Sequence, residues 1–168
     1  MKSFTSAFHP ALKSLTAIVA LALVTLGLSV ISASPSVAQQ SMAARWTTDR
    51  YEVRVQQLIN KQRASRGLVA LKTAQCATQT ASGWSRHLAA ADAFYHQDMG
   101  NVLSKCNASY AGETLGKGGI SPSRLVQLWM ESPAHKAVLI SEHPQSIGVS
   151  AVVDSHGQWL TAANFVRL

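Results

Sequence analysis

Residues 147–167 read IGVSAVVDSHGQWLTAANFVR. Ile147 to Val153 and Gln158 to Arg167 are rich in β-branched and aromatic side chains. Asp154-Ser-His-Gly157 between them supplies turn residues, so the stretch predicts an antiparallel hairpin. The clear periods upstream of it are helical. Helices layered on a terminal antiparallel sheet place the chain in the α+β class.

Working back from the hairpin, Ser121-Pro122 and Ser132-Pro133 repeat one helix-start signal. A hydroxyl caps free N–H groups, and proline sits in the first turn, where its missing N–H costs nothing. The first pair begins a helix with Leu125, Leu128 and Trp129 on its buried face. The second breaks that helix and opens a short one through Leu139. Phe94 to Gly119 holds many Gly, Asn and Ser residues without a sustained period. It reads as a long surface loop ending in a turn at Gly116-Lys-Gly-Gly119, and long ordered loops tend to carry function. Cys76 to Ala93 predicts an alanine-rich helix with Cys76, Thr80, Trp84, His87 and Ala91 along one stripe. Asp49, with Glu52 three positions on, signals a capping box. The helix it opens carries Tyr51, Val55, Leu58, Ile59 and Gln62 on one face and ends at Gly67. Trp84, Trp129 and Trp159 fall inside regular elements, as core residues do.

The first 38 residues obey a different logic. Lys2 and Lys13 flank a short polar opening, Leu15 to Ile31 is uncharged, and Ser36-Val37-Ala38 ends the stretch with small residues. These are the three parts of a secretory signal. The expected organisation is a signal peptide over 1–38, a short linker over 39–48 and one folded domain over 49–168. Cleavage after Ala38 leaves 130 residues, enough for one hydrophobic core and too few for two domains. An uncleaved anchor is the alternative, because the 17 uncharged residues approach the shortest bilayer-spanning helix. Either way the domain faces outward, and after cleavage nothing remains for stable membrane insertion. In an oxidising compartment the only two cysteines, Cys76 and Cys106, form an expected disulfide. The bridge would contribute on the order of 3 kcal/mol by chain entropy; two buried free thiols are the alternative.

The chain carries 15 basic against 8 acidic residues. Arg45, Arg50, Arg54, Lys61, Arg63, Arg66 and Lys72 are concentrated near the start of the domain. Such a face is usually solvated, although outside a cell it could meet anionic wall polymers, phospholipid headgroups or acidic glycans. Aromatics do not interleave with these cations and no nucleic-acid module is present, which excludes nucleic acid as a partner. No serine sits in a G-x-S-x-G elbow, and the glycines around Lys117 lack phosphate-loop spacing.

Several motifs in order resemble one family: LINKQRASRGLVAL at 58–71, FYHQD at 94–98, AGETLGKGG at 111–119, LWMESPAHKAVLI at 128–140 and IGVSAVV at 147–153. Together they look like the bacterial, SCP-like extracellular branch of the CAP superfamily, which joins cysteine-rich secretory proteins, antigen 5 and plant pathogenesis-related protein 1. The resemblance runs from about Tyr51 to Phe165 and implies a three-layer α-β-α sandwich.

It also implies a central cleft presenting two histidines and acidic residues, matched here by His96, Glu113 and His135. Two imidazoles and a carboxylate suit Zn²⁺ or another divalent metal, with water in the open position. His135 falls in the opening turn of the helix begun at Ser132-Pro133, where the positive dipole end disfavours protonation. A neutral ring is what a metal needs. The family's second acidic position, three residues after Trp129, holds Ser132 in this chain. Glu131, one place earlier and about 100° around the helix, is the substitute candidate. Without a metal the same residues form a polar network in which Glu113 bonds a histidine. CAP proteins resemble extracellular effectors and lipid or sterol binders more than enzymes. The implied function is a secreted, non-enzymatic binding or effector module for a metal, a small apolar ligand, an envelope polymer or a protein. The alternative is a metal-dependent hydrolase, a peptidase or esterase using metal-activated water.

Overall fold

A computed structural model of the chain describes residues 46–168. The signal segment and most of the linker lie outside the described residues. In order, the elements are α1 (Thr48–Ala64), β1 (Lys72–Thr73), α2 (Gln75–Ala90), α3 (Met99–Cys106), β2 (Tyr110–Gly118), α4 (Pro122–Glu131), α5 (Pro133–Leu139), β3 (Ser146–Val153) and β4 (Trp159–Arg167).

The expected hairpin is β3 and β4, paired antiparallel from Ser146↔Val166 to Val153↔Trp159. Asp154 holds its turn: Oδ1 accepts from the N–H groups of His156 and Gln158, both at 2.9 Å. Gly157 supplies the positive φ of 71° that the turn requires. The sheet order is β1-β3-β4-β2. β1 adds a short parallel edge to β3, and β2 runs antiparallel along the other side of β4.

Residues 94–119, expected as one loop, fold instead into α3 and β2. β2 has no strand period of its own and becomes a strand because β4 offers it a complete ladder, from Tyr110↔Arg167 to Gly118↔Trp159. The expected turn at 116–119 is largely the end of this strand. Gly116 serves packing: a Cβ there would stand 2.3 Å from Leu125 Cδ1.

Alternation along the strands sorts side chains onto two faces. Ile147, Val149, Ala151, Trp159, Ala163 and Phe165 join Tyr51, Val55, Ile59, Leu125, Trp129 and Leu139 in the core beneath α1, α4 and α5. Leu160, Ala162, Val166 and Leu115 belong with Ala77, Ala81, Leu88 and Val102 beneath α2 and α3. The fold is therefore α+β, a three-layer α-β-α sandwich ending in an antiparallel hairpin.

The helices correct several local expectations. Thr47, not Asp49, caps α1, accepting from Arg50 N–H at 3.4 Å. Glu52 leaves the expected capping box to accept from the Ala151 N–H at 2.8 Å, tying α1 to β3. The buried line of α1 is Tyr51, Val55, Ile59 and Arg63, with Leu58 and Gln62 only partly covered. In α2 it is Ala77, Ala81, Ser85 and Leu88, one place on from the expected stripe. The cause is close approach: a Cβ on Gly148 would lie 2.0 Å from Thr78 N and 2.1 Å from the Ala77 carbonyl carbon. Only the small-residue side of the helix can meet β3. Cys76, Thr80 and Trp84 instead line a groove toward α3. Cys76 is joined there to Cys106, their Cα atoms 5.3 Å apart, within the range a disulfide spans. In α4, Leu125, Val126 and Trp129 are buried, while Leu128 turns outward. The break at Ser132-Pro133 falls where expected, but the Ser132 hydroxyl makes no capping bond.

Candidate functional site

Glu113 lies on the edge strand β2, opposite Asn164 of β4. Its side chain is 2% exposed, and a carboxylate so buried needs a donor for each oxygen. His96 Nδ1 is 2.7 Å and the Gln97 N–H 3.2 Å from Oε1, and Gln97 Nε2 donates to Oε2. With Nδ1 turned to Glu113, Nε2 is the ring nitrogen of His96 that has no partner among the described residues. The His96 side chain is 58% exposed.

The network continues inward. Gln97 Nε2 also donates to Asn164 Oδ1 at 3.1 Å, and Asn164 Nδ2 donates to Thr80 Oγ1 at 2.9 Å. Thr80 in turn donates to the Cys76 and Ala77 carbonyls. A second anchor holds the His96 loop to α2. The Tyr95 carbonyl accepts from Trp84 Nε1 at 3.1 Å, and its hydroxyl lies 2.9 Å from His87 Nε2. Trp84, expected as core, is thus a partly covered anchor, while Phe94 stays exposed.

His135 occupies the first turn of α5, which packs on the face of β2 opposite the one Glu113 shares with Asn164: a Cβ on Gly112 would stand 3.3 Å from Val138 Cγ1. Burial, and secondarily the positive charge of a protonated His96, hold the His135 pKa below its ordinary 6.5. Glu131 lies elsewhere, accepting from Gln127 Nε2 at 2.8 Å and 3.7 Å from Arg124 Nη1 on the exposed face of α4.

Among the described residues, no three His, Cys, Asp or Glu side chains are gathered to hold a metal ion. Both Glu113 oxygens are engaged by His96 and Gln97, so the carboxylate braces those two side chains. The open ring nitrogens are those of His96 and His135, with Glu113 in the orienting position that carboxylates commonly take behind a histidine. Gln97, Asn164 and Thr80 are site residues that sequence reasoning missed. Asn164 left one signal, a carboxamide between apolar neighbours inside a β-run.

A family model described as "CAP: Cysteine-rich secretory protein family" matches residues 56–165. The protein YkwD of Bacillus subtilis is 27% identical over 138 residues, covering 76% of this chain and 53% of YkwD, so the chain spans about half the length of that relative. An outer surface protein of Borrelia burgdorferi superposes with a TM-score of 0.63 at 20% identity, over 67% of this chain and 89% of its own. An extracellular protein containing an SCP domain, from Bacillus anthracis, does so with a TM-score of 0.65 at 21% identity, over 72% of this chain and 41% of its own. At such identities the structural likeness is one of fold.

Proposed function

The chain belongs to the CAP family of cysteine-rich secretory proteins, and we propose that it is exported and works outside the cytoplasm as a non-enzymatic binding module. The signal features of residues 1–38 support the address, as do relatives named as extracellular or outer-surface proteins. No described helix is long and apolar enough to cross a membrane.

The observation that supports a binding role most directly is the condition of Glu113. A general base must be free to take a proton. This carboxylate is enclosed and bonded to three donors, which suits it to holding His96 and Gln97 in place. The groups left open to a guest are the ring nitrogens of His96 and His135. A small apolar ligand with one polar end, an envelope polymer or a protein side chain would bond to them. A divalent ion, if carried, would be held by the same two rings and would act as a Lewis acid toward an oxygen of the guest. Hydrolysis of a peptide or ester would need a free base in addition, and Glu113 does not supply one.

Calorimetric titration of the full chain with Zn²⁺ tests this. Uptake is expected near neutral pH and should weaken as pH falls and the rings take up protons, because metal binding needs both deprotonated. It should be lost in the His96→Ala/His135→Ala variant. Absence of uptake, or equal affinity in that variant, removes the two rings as a metal-holding pair. Peptide or ester hydrolysis abolished by Glu113→Gln, with the fold retained, would overturn the non-enzymatic reading.

A further inference from the structure

Arg63 is the exception on the basic helix α1. Arg50, Arg54, Lys61 and Arg66 are exposed, as a solvated face should be, whereas Arg63 is 2% exposed. Its Nε donates to the Val69 carbonyl at 2.9 Å. Its Nη1 donates to the carbonyls of Leu139 at 3.0 Å and Ser141 at 2.7 Å. These bonds tie α1 to the C-terminal end of α5, where the helix dipole favours a cation. All three acceptors are neutral, and no carboxylate among the described residues pairs with Arg63. Burial holds its pKa below the ordinary arginine value. Nη2 carries two further N–H groups and has no acceptor among the described residues.

Arg63 lines a cavity of about 750 Å³ together with Lys72 and Arg167, and the anionic groups of the lining are the Glu142 side chain and the terminal carboxylate of Leu168. None of the three cations is ion-paired among the described residues. Val69 and Ala70 also line it, and their backbone N–H groups have no backbone acceptor among the described residues. The cavity borders β1, the sheet edge opposite the cleft on β2. We propose that it is an anion site that receives a phosphate group, with Arg63 at its floor and Lys72 and Arg167 at its rim. Guanidinium groups match oxyanions through paired N–H donors. Three cations against two anions leave the lining net positive, and the several N–H donors of two guanidinium groups match the three free oxygens of a phosphate better than the two of a carboxylate. The phosphate belongs either to a small soluble molecule or to a lipid headgroup.

The test uses the full chain and a Lys72→Met/Arg167→Met variant; Arg63 stays in place because it holds α1 to α5. Inorganic phosphate at constant ionic strength should shift the backbone amide resonances of residues 67–72 saturably. Its affinity should fall at least about tenfold in the variant, through loss of charge-assisted bonds. Vesicles of phosphatidylcholine with and without phosphatidic acid identify the source. Retention on phosphatidic acid that the variant loses supports the site with a lipid phosphate; phosphate binding without retention supports it with a soluble ligand. The proposal is overturned if the shifts do not saturate, if chloride reproduces them, if acetate binds more tightly than phosphate, or if the variant binds phosphate like the parent.

Discussion

His135 is kept neutral by its surroundings: burial strips water from the ring, and a protonated His96 repels a second charge. Both effects lower the folded-state pKa below 6.5, while the unfolded chain keeps the ordinary value and so binds the proton first as pH falls. The stability contributed by neutral His135 is complete above the unfolded value and is lost as pH falls through the depressed folded one. Thermal unfolding from neutral to mildly acidic pH should therefore show a falling Tm. His135→Gln should flatten that part of the profile, and an equal slope in both proteins would assign the titration to another group. His96, Glu113 and His135 were legible as residues because each sits in a recognisable motif. Their division of labour was not legible. Whether Glu113 is a ligand or a brace depends on Gln97 and on Asn164, which faces it only through the register of β2 on β4.

At the scale of elements, α2 and β3 meet backbone to backbone at Gly148, where an added Cβ would lie 2.0 Å from Thr78 N. The atoms that a Cβ would strike there cannot swing aside as a side chain could. Gly148→Ala should cost more than about 3 kcal/mol or prevent folding, at or beyond the upper end of overpacking effects. Gly157→Ala is the control: nothing lies within 4 Å of its added Cβ. Only its positive φ is penalised there, by about 1 kcal/mol. Urea unfolding of the two variants should separate them clearly, and similar midpoints would mean that the helix shifts to make room. The Ser-Pro starts of α4 and α5 and the hairpin turn were readable because caps and turns are settled by neighbouring residues. β2 was not, since its ladder comes from a strand at the far end of the domain.

For the whole molecule, the address is the property that most affects the rest. If the protein is exported as proposed, mass spectrometry of the extracellular product should find Gln39 as its first residue. A product retaining residues 1–38 would instead be an anchored domain. The α+β class and the helix breaks could be read before any coordinates, because they rest on periodicity and local turn chemistry; the layered sandwich followed from the family resemblance, and the cysteine pair from its even count in a chain read as exported. The face that α2 buries, the strand hidden in residues 94–119, the brace behind His96 and the burial of Arg63 could not. Each depends on which distant backbone or carbonyl comes within a few ångströms, and that is settled only when the layers close on one another.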